Sequence, residues 1–150
     1  MRAFILIFSL LLLSACGESS GSKTGSTTSA EVPEQIAVKF FQAILVENDL
    51  KKARKYAVPS LARVLDSFSS AKAAGRTLLN MRFDEVTITV EDTNKSVREF
   101  YTDKADVMLI FTGTYDGGKR VDMRMVKMVI EGGHWKISEI KTDPFARAGV

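Results

Sequence analysis

Few residues in this chain have the type and spacing that chemistry needs. Cys16 is the single cysteine and His134 the single histidine. One cysteine rules out an intramolecular disulfide and a cysteine-based metal cluster, and one histidine removes most zinc sites and any Ser-His-Asp triad. The acids and phenols that could move a proton are Asp106, Asp122, Tyr56, Tyr101 and Tyr115. No motif ties any of them to such a role. Asp106 and Asp122 alternate with apolar neighbours and are expected to face water, as is His134 beside Gly132-Gly133. No catalytic residue, metal ligand or cofactor is assigned from these residues.

Cys16 is different, because its surroundings carry a pattern. Arg2 is followed by a run from Ala3 to Leu13 that is apolar except for Ser9. The run is shorter than the roughly 20 residues a membrane-spanning helix requires, and it suits a signal-peptide core. Leu13-Ser14-Ala15-Cys16 then resembles the lipobox of bacterial lipoproteins. The resemblance implies cleavage between Ala15 and Cys16, a diacylglyceryl thioether on Cys16, and acylation (commonly palmitate) of the new amino terminus. Several acyl chains together give stable membrane attachment where one would be marginal. Gly17, where some such lipoproteins carry Asp to stay in the inner membrane, implies the periplasmic face of the outer membrane.

The domain plan that follows is a signal peptide over 1–15, a lipidated cysteine with a tether over 16–31, a folded domain over 32–145 and a tail over 146–150. The tether is Ser-, Gly- and Thr-rich without apolar periodicity. As a flexible coil it spans roughly 20 Å. Removing Arg2 with the leader leaves 20 basic against 18 acidic residues. That near balance, with the densest basic run (Lys51, Lys52, Arg54, Lys55) on a short helix, argues against nucleic acid as a partner.

The folded part reads as helices first, strands after. Ala37, Phe40, Phe41, Ile44 and Leu45 share one face of a helix over Pro33–Glu47. Asn48 and Asp49 end it and start a second helix over Leu50–Ala57. A third begins after Pro59 and carries Leu61, Val64, Leu65, Phe68 and Ala71 toward Gly75. From Val86 the period becomes two, and strands follow over Val86–Val90, Asp103–Tyr115, Val121–Ile130 and His134–Lys141. Asp92–Ser96, Asp116-Gly117-Gly118 and Gly132-Gly133 read as turns. In the third strand the apolar phase passes from Val121, Met123 and Met125 to Val126, Met128 and Ile130, which predicts a β-bulge near Met125. The fold class is therefore α+β, with three helices on one side of a four-stranded antiparallel sheet.

This order resembles the nuclear-transport-factor-2-like (cystatin-like) fold, in particular its lipoprotein-associated branch. The residues that carry the likeness are Ala37–Ala43, Asn48–Ala53 and Trp135-Lys136-Ile137. The resemblance implies a cone of curved sheet and helices, whose enzymatic relatives work with an Asp, His or Tyr in the mouth. Tyr56, Tyr101, Asp106 and Trp135 are the pocket candidates on that reading, with Trp135 expected mainly as a core anchor. Met108 and Ile110 are the candidates for a binding surface, because they lie opposite Val107 and Leu109, on the face that should read polar. Met81, Met123, Met125 and Met128 share the sheet half and suit either an adaptable surface or core gap-filling. The first reading is thus a non-catalytic binding or adaptor lipoprotein of the cell envelope, held to the membrane by acyl chains, with a homodimer or an envelope protein as partner. A ketosteroid-isomerase-like enzyme and a scaffold lipoprotein are the alternatives.

Cys16→Ser is expected to abolish lipidation and leave the precursor uncleaved. Mass spectrometry of the envelope protein decides the point, and an unmodified Cys16 in the wild type at steady state would refute it.

Overall fold

The computed structural model describes residues 32–91 and 103–141. Cys16 with its leader and tether, the turn at Asp92–Ser96, Tyr101 and the tail lie outside them.

Pro33 opens α1 (Pro33–Leu45), supplying the fixed φ that suits a first turn. Its apolar stripe buries Ile36, Ala37, Phe40, Phe41 and Ile44. Asn48 ends the run in the left-handed region (φ 57°), and the Asp49 amide reaches back to the Ala43 carbonyl at 2.7 Å. This is the bonding by which helices close their last carbonyls. Asp49 then caps α2 (Leu50–Arg54) by accepting the Lys52 amide at 3.0 Å.

The expected third helix is two helices, α3 (Pro59–Asp66) and α4 (Ala71–Thr77). Serine chemistry makes the break. Ser67 Oγ donates to the Val64 carbonyl at 2.7 Å, and Ser70 Oγ accepts the Ala73 amide at 3.2 Å, so one serine closes a helix and another opens the next. Val64, expected inward, is consequently exposed, while Leu65 and Ala71 are buried. α4 ends as α1 does, with Asn80 at φ 51° and the Met81 amide on the Gly75 carbonyl at 2.9 Å.

The strands are β1 (Glu85–Val90), β2 (Lys104–Tyr115), β3 (Gly118–Glu131) and β4 (His134–Ile140), an antiparallel meander in the order β1-β2-β3-β4. Two-residue loops join β2 to β3 and β3 to β4, and all four loop residues (Asp116, Gly117, Gly132, Gly133) have positive φ. Such loops match the twist of the strands they join. Pairing between β2 and β3 runs unbroken from Lys104↔Val129 to Tyr115↔Gly118. The change of phase expected near Met125 is therefore absent from this pairing. The irregularity lies on the other side of β3, between Lys127 and Met128, where β4 carries the extra residue Ser138. Its hydroxyl donates to the Lys127 carbonyl at 3.1 Å.

The core lies between the sheet and the helices. Ala105, Val107, Leu109 and Phe111 of β2 are buried there with Val126 and Met128 of β3 and Ile137 of β4. Phe41 meets Phe111 edge-on at 4.9 Å between ring centroids. The free edge of β4 is covered by residues 56–58, for Ile137 donates to the Tyr56 carbonyl at 2.8 Å and accepts from Val58 at 3.0 Å. Covering an edge in this way removes a template for unwanted strand addition.

Trp135 is only half-buried, packed against the core rather than enclosed by it. Phe111→Ala is expected to lower unfolding free energy by about 3–5 kcal/mol, and Trp135→Ala by roughly half as much. Chemical denaturation of the two variants checks the order, and a larger loss at Trp135 would contradict this packing.

Candidate docking face

β3 positions its side chains in a way its own alternation hides. Even-numbered residues from Asp122 to Met128 point toward the helices, so Asp122 and Arg124 lie on the inner face with Val126 and Met128. This corrects the expectation that Asp122 faces water. The two side chains are 10% and 5% exposed. Arg124 Nη1 pairs with Asp122 Oδ1 and donates to the Met123 carbonyl at 2.6 Å. Nη2 reaches Asp122 Oδ2 at 3.4 Å and the Leu79 carbonyl at 3.1 Å, just past the end of α4. A buried guanidinium needs such partners, since an unpaired charge in the interior costs several kcal/mol. With them satisfied, the pair is a structural tie between β3 and the helical layer.

The consequence appears on the opposite face. Met123 and Met125 point outward, and the β2–β3 register sets Met108 beside Met125 and Ile110 beside Met123. All four are partly exposed. Outward residues of an antiparallel sheet with one covered face are normally polar. Thr87, Thr89 and Thr112 obey that rule around the apolar quartet. Val121 extends it on β3 and is 66% exposed. Cross-strand partners on one face lie within side-chain contact distance, so the quartet forms one continuous surface. The methionines therefore divide: Met81 and Met128 fill the core, and Met108, Met123 and Met125 make the surface.

Charges border the quartet. Asp106 is opposite Lys127, and Lys127 is opposite Glu139, in one row across the sheet. Lys127 Nζ meets Glu139 Oε2 at 2.9 Å. That hydrogen bond, with the attraction of opposite charges, raises the Lys127 pKa and lowers that of Glu139. The adjoining row runs Glu91, Met108, Met125, Lys141, because the Glu91 amide bonds the Met108 carbonyl at 3.0 Å and the Lys141 amide bonds Met125 at 2.9 Å.

The pocket candidates do not assemble. Asp106 is on the outer face, Tyr56 is half-buried beside the β4 edge, and Trp135 lies across from Ile130 on the β3–β4 pair. A groove of about 680 Å³ does open elsewhere, between α4, the end of α1 and the start of β1. It contains Arg82, Asp84 and Tyr115, all exposed. Asp84 Oδ2 accepts the Asp116 amide at 2.8 Å, and Arg82 Nη1 is 3.5 Å from Tyr115 Oη. Asp84 is thus tied to the hairpin, and Glu85 and Tyr115 are exposed, unlike the enclosed Asp–Tyr pair that proton transfer beside a carbonyl calls for. Among the described residues no group of three or more His, Cys, Asp or Glu could hold a metal ion. Nor, among them, is any helix long and apolar enough to cross a membrane.

No family model, curated protein or solved structure matches the chain. Met123 and Met125 could have been found by counting outward from the two-residue Asp116-Gly117 loop, which sets Met108 against Met125.

Proposed function

We propose that this chain is a lipid-anchored envelope protein whose small domain docks another protein on the outer face of its sheet. The leader and the Leu13–Cys16 motif support the anchor, with the periplasmic side of the outer membrane as its location. The meander backed by helices is consistent with a nuclear-transport-factor-2-like cone, the finer fold we favour. One observation carries the docking role: Met108, Ile110, Met123 and Met125 form a partly exposed apolar surface where an uncommitted sheet face would be polar. Methionine side chains adapt to the contour of a partner at little cost, which suits an adaptor.

Replacing Met108 and Ile110 together by Thr is expected to leave the melting temperature nearly unchanged, since threonine suits strands and neither side chain is in the core. The same change should strip most of the protein captured by crosslinking and pull-down from intact envelopes. Unfolding of the double variant would return these residues to the core, and undiminished capture would move docking off this face.

A further inference from the structure

From the charges around the apolar quartet we infer that the occupant of the outer face is a second copy of this chain, packed sheet to sheet. The two-fold axis lies in the interface, parallel to the strands and between β2 and β3. The inference rests on the outer face being a docking surface and goes on to name what docks there.

Two rows of the face carry the argument. The first reads Glu91, Met108, Met125, Lys141 from β1 across to the end of β4. The second reads Asp106, Lys127, Glu139 across β2, β3 and β4. A two-fold along the strands lays β1 of one copy over the β4 edge of the other, and β2 over β3. Glu91 then faces the Lys141 position of the second copy, and Asp106 faces its Lys127. Each contact occurs twice, as an isologous interface requires. A two-fold perpendicular to the strands and centred on the first row would stack Glu91 on Glu91 and Lys141 on Lys141, and like charges placed together suppress that arrangement. Centred between the two rows, it would lay Asp106 on Met108 and Lys127 on Met125 of the other copy, setting charges against the apolar centre. The charge pattern therefore selects one axis, and under it the Met108–Met125 pair meets its own copy at the centre.

The dimensions agree. With ~4.8 Å between strands and ~3.4 Å per residue, the four strands tile a face on the order of 600 Å² before side-chain relief is added. A standard interface buries about 800 Å² per partner, with an apolar centre and a polar rim. Packed sheets are rotated by roughly 30°, which shifts a residue about 7 Å from the axis by only about 4 Å, within reach of Glu and Lys side chains.

Zero-length crosslinking tests this directly. Full chains with heavy and natural isotopes are mixed in detergent and treated with a carbodiimide, which joins a carboxylate to an amine in contact. Mass spectrometry is expected to find heavy–light hybrids joining Glu91 to Lys141 and Asp106 to Lys127. The intrachain Lys127–Glu139 link reports that the domain is folded. Glu91→Lys alone and Lys141→Glu alone should each lower the Asp106–Lys127 hybrid at least tenfold, and mixing the two variants should restore it. Absence of hybrids from the wild type, or failure of the mixture to restore them, would overturn the inference. If the purified mixture yields no hybrid while the same reagent on intact cells joins Lys127 or Lys141 to a different protein, the docking face stands and the second copy is excluded as its occupant.

Discussion

Arg124 points toward the helices, and much of the rest of the domain depends on that placement. A guanidinium cannot be left unpartnered in an interior, so Asp122 accompanies it on the same face and the Leu79 carbonyl is held against it. Because side chains alternate along a strand, fixing Arg124 inward fixes Met123 and Met125 outward. The unbroken β2–β3 register then commits Met108 and Ile110 to the same outer surface. One buried ion pair thus links the helical layer, through the carbonyl beyond α4, to the composition of the face on the far side of the sheet. Buried pairs of this kind are weak contributors to net stability, whereas removing one partner and leaving the other charge buried is strongly destabilising.

Much of this architecture is legible in the residues. Two-fold alternation marks β1, positive-φ turn residues mark both hairpins, and Pro33, Pro59, Asn48 and Asp49 mark helix ends. The break between α3 and α4 is harder to see because Leu65, Phe68 and Ala71 continue a helical spacing across it. Only the serine hydroxyls at 67 and 70, bonding to backbone, interrupt the helix. The phase of β3 is hidden for another reason. Hydropathy assigns Asp122 and Arg124 to solvent one at a time, whereas as a pair with a carbonyl partner they are satisfied inside. What reads as a bulge at Met125 is a strand of constant phase whose chemistry is exchanged between faces.

The apolar outer face is half legible in the sequence. Met108 and Ile110 stand out because β2 is apolar in both phases, and that needs no knowledge of partners. Met123 and Met125 join them only through hairpin register, and the charge rows that border them require β1 and β4 as well. Tyr56, Asp106 and Trp135 share residue types suited to a pocket, but the fold separates them onto different faces and edges. A single aromatic or acid in a strand says little about a site until its face is known.

Which methionines face outward decides whether the sheet has an apolar outer face, and methionine oxidation reads that directly. Brief peroxide treatment of dilute protein, followed by mass spectrometry of peptides, ranks the thioethers by access. Met108, Met123 and Met125 should oxidise well ahead of Met81 and Met128, which are 1% and 0% exposed. Oxidation of Met128 as fast as Met125 in folded protein would mean that β3 has the opposite phase, with Arg124 in water and no apolar outer face.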